Sequence, residues 1–208
     1  VMQLGDMDDF VGAPGVMEAD GDFVDIILAD PGATFAPGAT IALNDGQRLL
    51  SAHLQHLVNT DEVGSILLPE TDLGGMPAMI TGMDAIDVIT LANGNEVSGF
   101  SILAGMDASA IVGTDITGFD INGNIITDAG DEGIDIDSSG LALVEGLISG
   151  NTITGSRDDG VDLNGDNIDV TFLNNIVTDN GDENLDIEAT GEFRGLIQGN
   201  DLSRAGER

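Results

Sequence analysis

The stretch NIITDAGDEGIDI, Asn124 to Ile136, decides how this chain folds. It is written again as NTITGSRDDGVDL from Asn151 to Leu163 and as NIVTDNGDENLDI from Asn175 to Ile187, and it begins once more with NDLS at Asn200. The four asparagines are 27, 24 and 25 residues apart. Three residues before each stands Ile121, Ile148, Phe172 or Ile197, and two residues after it Ile126, Ile153, Val177 or Leu202, followed by Thr127, Thr154, Thr178 or Ser203. Eleven residues beyond the first three anchors come Asp135, Asp162 and Asp186, each between apolar neighbours. The spacing from anchor to Asp is constant, so the insertions fall between that last strand and the next anchor, where a loop belongs.

Repeats of this length indicate solenoids, propellers or arrays. Within each unit the apolar residues alternate with polar or small ones, as in Ile134/Ile136 and Val161/Leu163. That period of two predicts strands, about three short ones per unit, split by Gly, Asn and Asp. A chain that returns to the same face once per repeat stacks each strand parallel on its counterpart, about 4.8 Å away. The expected fold is all-β, a parallel β-helix of about seven coils. Asn124, Asn151, Asn175 and Asn200 then form an inward ladder at a tight turn, where Asn tolerates left-handed geometry and its amide bonds the copies above and below.

The pattern Asn-x-Ile-Thr followed by Asp-x-Gly-Ile-Asp-Ile, as it stands from Asn124 to Ile136, resembles the repeat of right-handed parallel β-helix proteins of the pectate-lyase-like class. The resemblance covers residues 88–204. Upstream, FVDIILAD (Phe23 to Asp30), GATIALNDGQRLL (Gly38 to Leu50) and VITLANGNEVSGFSI (Val88 to Ile102) are similar to first rungs of β-helix segments in large bacterial surface proteins, those of the inverse-autotransporter type included. Right-handedness is what the resemblance implies, in keeping with the general hand of parallel crossovers. Residues 24–208 are expected to form one β-helix. Residues 1–23 lack the repeat and are expected to cap its first rung or pair elsewhere. Residues 103–109 and 137–143 read as loops. The last coil ends one strand after Asn200 with no capping helix, which leaves a strand edge to be covered by more chain or by a neighbour.

Composition narrows the partners. The 208 residues carry 38 Asp and Glu against five Arg and no Lys, a net charge of −33, yet 41% of the residues are hydrophobic. The chain is too apolar for a disordered acidic tail. Nucleic acid, anionic lipid and anionic polysaccharide are repelled, since phosphate binding needs a basic footprint. Cations are the natural partners, and a saline setting screens the self-repulsion. There is no cysteine. No run approaches the roughly 18 apolar residues of a membrane span, so no membrane insertion is expected. The start VMQLG has neither a basic nor an apolar signal region and reads as a processed or excised segment.

The candidate site is the repeated acid. Counting from each anchor, positions seven and eight are Asp131/Glu132, Asp158/Asp159 and Asp182/Glu183, followed by Asp135, Asp162 and Asp186. Stacked coils place these nine carboxylates, with Asp137 beside them, in columns on one side. Neighbouring charges at about 4.8 Å repel by roughly 1 kcal/mol in water and about 3.5 kcal/mol at an effective dielectric near 20. Hard oxygen ligands on turns suit Ca²⁺ over zinc or copper. DIDSSG (Asp135 to Gly140) resembles the first half of an EF-hand loop, but Gly146 stands where the closing Glu belongs, and DLNGD (Asp162 to Asp166) is similarly partial. Two readings therefore stand: specific Ca²⁺ sites, or a diffusely screened and partly protonated face.

An enzyme is the other functional class. Carboxylates about 5 to 9.5 Å apart run glycoside hydrolysis, and Arg157 beside Asp158, Asp159 and Asp162 is the one place where a cation adjoins an acid pair. Against it, every unit repeats the pair, and the chain holds no Trp, no Tyr and seven Phe for sugar platforms. His53 and His56 read as surface or edge residues on opposite faces of a strand or turn, and Met76, Met79 and Met83 as core fillers. The expectation is a structural or adhesive module, extracellular or on the cell surface, associating end to end and binding divalent cations. The alternative is a polysaccharide lyase, glycoside hydrolase or glycan-binding domain of the same fold.

Overall fold

The computed structural model describes residues 2–4, 15, 25–60, 64–69, 74–140 and 143–206. They wind into an all-β parallel solenoid of about seven turns with almost no helix. The first face stacks β1 (Met2–Leu4), β2 (Ile26–Ala29), β5 (Arg48–Ser51), β10 (Glu96–Ser98), β13 (Thr117–Asn122), β16 (Leu143–Ser149), the second half of β18 (Val161–Leu173) and β21 (Leu196–Gln198). The second stacks β4 (Ile41–Ala42), β9 (Ile89–Leu91), β12 (Ile111–Thr114), β15 (Ile134–Asp137), the first half of β18, and β20 (Asp186–Phe193). The third is a separate sheet of short strands: β3 (Thr34–Phe35), β8 (Met79–Thr81), β11 (Ser101–Leu103), β14 (Ile125–Thr127), β17 (Thr152–Thr154) and β19 (Ile176–Thr178).

Register follows the repeat. Ile126 pairs with Ile153 and Ile153 with Val177, all fully buried, because the middle residue of each short strand points inward and its two neighbours outward. Ile121, Ile148 and Phe172 stack in the same way on the first face. Such columns give one core along the whole axis, in which like side chains lie on like.

The Asn ladder is present and fully bonded. The backbone N–H groups of Asn124, Asn151 and Asn175 donate to Oδ1 of Asn151, Asn175 and Asn200 at 2.9, 2.9 and 2.8 Å. The side-chain amides of Asn124, Asn151, Asn175 and Asn200 donate back to the carbonyls of Val97, Ile121, Ile148 and Phe172. One coil earlier Phe100 occupies the anchor position, and its N–H donates to Asn124 Oδ1 at 3.0 Å. At another corner the coils touch backbone to backbone: a Cβ added at Gly130 would lie 2.0 Å from the Gly105 carbonyl oxygen, and one at Gly181 would lie 1.9 Å from that of Arg157.

Several expectations are corrected. β18 runs through the corner between the second and first faces without a break, so its turn has two strands where three were expected. The antiparallel hairpin of β6 (His56–Thr60) and β7 (Gly64–Leu68) is an excursion outside the repeat. It lies over the outer side of β2 and β5, where Ile26, Leu28, Leu50, Ala52 and Val58 make a second small core. His56 is accordingly buried, with Nε2 2.9 Å from the Ser51 carbonyl oxygen, and is no surface residue. Met76, Met79 and Met83 are exposed, since they sit on the outward positions and turns of the third face. They fill no core.

Met2–Leu4 pairs parallel with β2; the rest of the 1–23 segment, Gly15 apart, lies outside the described residues. The expected loops at 103–109 and 137–143 fall between β11 and β12 and between β15 and β16, with Leu103, Asp137 and Leu143 still in strands; residues 141–142 lie outside the described residues. The two ends of the described solenoid differ. Phe35 and Ile41 are fully buried at the first, whereas Leu196, Ile197 and Leu202 are exposed at the last.

Candidate functional site

The acid columns form as the repeat dictates. Asp135 pairs with Asp162 and Asp162 with Asp186, on outward positions of β15, β18 and β20; beside them Asp137 pairs with Asn164 and Asn164 with Glu188. At the preceding corner the N–H of Gly133 donates to the Asp159 carbonyl at 3.0 Å and that of Gly160 to the Glu183 carbonyl at 2.9 Å, which sets Glu132, Asp159 and Glu183 in file. The N–H of Asp182 donates to the Asp158 carbonyl at 3.1 Å, continuing the outer file that starts at Asp131.

Side-chain placement then regroups these files. One carboxylate oxygen from each of Asp159, Asp162 and Asp186 lies within 4.8 Å of the others, and Asp131, Glu132 and Asp158 make a second such trio at the corner. Asp135, Asp137, Asp182 and Glu183 belong to neither trio, although Asp135 stands directly beneath Asp162. Within the first trio Asp162 Oδ2 accepts from Asn164 Nδ2 at 2.8 Å, while Asp162 Oδ1 is buried and has no hydrogen-bond partner. Asp159 Oδ1 accepts from the Glu183 N–H at 2.7 Å, and Glu132 Oε2 accepts from Ser109 Oγ at 2.7 Å.

Burial followed by like charge disturbs these acids. Asp135 is pushed up to about 7 by burial, then by Asp137, Glu132 and Asp162. Burial pushes Asp159 up to about 7 against the stabilising Glu183 N–H, and Asp162 to about 6, with Asp186 the strongest charged neighbour. Asp131 and Glu132 are raised as well, again first by burial. A carboxylate trio with an orphaned buried oxygen offers three of the six to eight oxygen ligands that a hard cation such as Ca²⁺ takes. Neither EF-hand-like stretch is a continuous loop: Asp135 to Asp137 and Asp162 to Asp166 are strand residues, only Ser138 to Gly140 leave the strand, and there Ser139 caps Asp115, donating through N at 2.8 Å and Oγ at 2.7 Å.

The four residues of the enzymatic alternative do not form one constellation. The Arg157 guanidinium pairs with Asp107, Asp158 belongs to the corner trio, and Asp159 and Asp162 belong to the other. Beside the columns lies a groove of about 430 Å³ lined by Ser138, Ser139, Asn164, Asp166, Glu188 and Thr190, with no aromatic side chain. Asp115 and its two serines are the part of this surface that sequence reasoning missed; their signal, an Asp one coil below a Ser-Ser pair, becomes visible only once the coils are aligned.

The class defined by fold and site is thus an acidic parallel β-solenoid. Comparison with protein-family models, with curated proteins and with solved structures finds no match for this chain. Among the described residues no helix is long and apolar enough to cross a membrane.

Proposed function

We propose that this chain is a structural or adhesive module of the cell surface or extracellular space, a rigid rod segment whose acidic side takes up divalent cations, Ca²⁺ first, and whose coils stack end to end. The relation to pectate-lyase-like and autotransporter-type β-helices is part of the same reading. The observation that carries it is the recurrence of carboxylates turn after turn in the same files. A reaction centre needs one constellation of unlike groups, whereas repeated like charge serves a surface that is neutralised along its length.

Thermal denaturation with and without Ca²⁺ tests the cation part. At ten times its dissociation constant, one bound ion adds about 1.4 kcal/mol, or roughly 3 to 6 °C in Tm for a chain of this size, and EDTA reverses the gain. No change in Tm and no heat of binding in calorimetry would remove Ca²⁺ from the account. Activity on a glycan panel, abolished by Asp159→Asn, would replace the structural reading with the enzymatic one.

A further inference from the structure

Methionine stands in this molecule where it does no packing. Among the described residues the buried core is built of Ile, Leu, Val, Ala and Phe, and none of its members is a methionine. Met76, Met79, Met83 and Met106 are 75%, 37%, 49% and 68% exposed. A thioether is ordinarily the adaptable filler of a core, so its exclusion from the core and its recurrence at the surface call for another reason. The four also gather in one region. Met79 is on an outward position of β8, Met76 lies just before that strand and Met83 just after it, and Met106 follows the neighbouring strand β11. Their backbones are held without help from the side chains. The Met76 carbonyl accepts from the Gly32 N–H at 2.8 Å, the Met79 N–H donates to the Ala33 carbonyl at 2.7 Å, the Met106 N–H donates to Asp84 Oδ1 at 2.9 Å, and the Met106 carbonyl accepts from the Ala85 N–H at 2.7 Å.

We propose that these four methionines form a reversible oxidation site, at which a neutral peroxide gives up an oxygen atom to each thioether. The sulfur lone pair attacks a peroxide oxygen, the O–O bond breaks and the S–O bond forms; sulfur is oxidised to the sulfoxide, and the other oxygen leaves with the electron pair and is protonated to water. The chain has no cysteine, tryptophan or tyrosine, so no thiol or electron-rich ring takes the oxidant first. Charge selects the oxidant: hydrogen peroxide is uncharged and reaches a surface of net charge −33 unhindered, whereas anionic oxidants are repelled. Thiol-dependent sulfoxide reductases return the thioether. Oxidation of a buried methionine makes a core residue polar and disrupts packing; here the exposed positions take the oxygen and the core is spared. What changes is the surface, since Met79, in one outward column with Ser101 and Ile125, turns from apolar to polar together with the three methionines around it. This inference rests neither on bound calcium nor on end-to-end stacking.

Peptide mass spectrometry of the folded chain after hydrogen peroxide treatment in EDTA is the test, with digestion at acidic residues because the chain has no lysine. Each of the four methionines is expected to gain one oxygen, Met76 and Met106 ahead of Met83 and Met79, in the order of their exposure. The oxidised chain is expected to keep its circular dichroism, to shift its Tm by less than about 2 °C, as changes at the surface do, and to elute earlier from a hydrophobic-interaction column. Treatment with sulfoxide reductases restores the retention. Met76→Leu, Met79→Leu, Met83→Leu and Met106→Leu combined are expected to leave the fold as it is and to remove most of the change in retention that peroxide causes. A member of the four that stays unoxidised once Met76 has reacted fully, or a Tm that falls by several degrees on oxidation, shows a thioether packed into the fold and overturns the proposal. A retention change that persists in full in the combined variant, or that the reductases do not reverse, overturns it equally.

Discussion

Asn151→Ala is expected to cost about 4 kcal/mol, a loss that Asn175, with the same set of bonds, should match. Asn151 is buried, and its amide is the crossing point of four hydrogen bonds. Oδ1 accepts from the Asn124 backbone N–H at 2.9 Å and from Asn124 Nδ2 at 3.2 Å, while Nδ2 donates to the Ile121 carbonyl at 2.8 Å and to Asn175 Oδ1 at 3.1 Å. Truncation strands the Asn124 N–H inside the core and removes the bond to Ile121. A buried donor or acceptor left without a partner costs about 1 to 3 kcal/mol, and the vacated volume adds a packing loss. For a chain of this size the Tm falls by about 8 to 16 °C. Asn200→Ala removes the same kind of bonds at the half-exposed last coil, where water replaces the amide, and is expected to lose less than half as much. Equal losses at the two positions, or a loss below about 1 kcal/mol at Asn151, would show that the ladder is not what holds the coils in register.

The same ladder explains how much was legible in the sequence. Asn-to-Asp spacing is constant in each unit because backbone stacking tolerates no insertion between the anchor and the second-face strand. Strand positions, their register and the files of acids could therefore be read directly. What lay outside the repeat was lost: the β6–β7 hairpin has no counterpart one coil away, and the burial of His56 depends wholly on it. The methionines were misread because hydrophobicity outweighed phase. In the aligned triplets MIT, SIL, IIT, TIT and IVT the middle residue is the buried one, which puts Ile80 inside and Met79 outside. The diagonal grouping of Asp159 with Asp162 and Asp186 was not legible at all. Register sets which residues share a file, but side-chain direction at the corner sets which carboxylates meet.

That grouping carries the second large effect. Without divalent cations, Asp162→Asn is expected to stabilise the fold at pH 8 by about 1 to 2 kcal/mol, an allowance for solvent screening of a half-exposed group whose full shift of two pH units would give about 2.7 kcal/mol. The sign follows from linkage. Asp162 is held at about 6 in the folded chain and Asp135 and Asp159 at about 7, against about 3.9 when unfolded. Below about pH 4 both states carry the protons and the acids make no difference. Between that point and pH 6 to 7 only the folded state keeps them, so stability falls as pH rises, and above this window the whole cost of the ionised columns is present. The intact chain in EDTA should thus melt several degrees higher at pH 5 than at pH 8, and the advantage of Asp162→Asn should shrink to about half at pH 5 and vanish below about pH 4. Calcium reverses the ranking: a bound cation offsets the repulsion and uses the orphaned Asp162 oxygen as a ligand, so the intact chain gains from Ca²⁺ at pH 8 and Asp162→Asn gains less. If Asp162→Asn responds to Ca²⁺ as strongly as the intact chain while keeping its advantage in EDTA, the trio is a proton-bearing cluster and the cation lies elsewhere on the face. If the variant is destabilised in EDTA at pH 8, the repulsion between the files is not a cost to the fold.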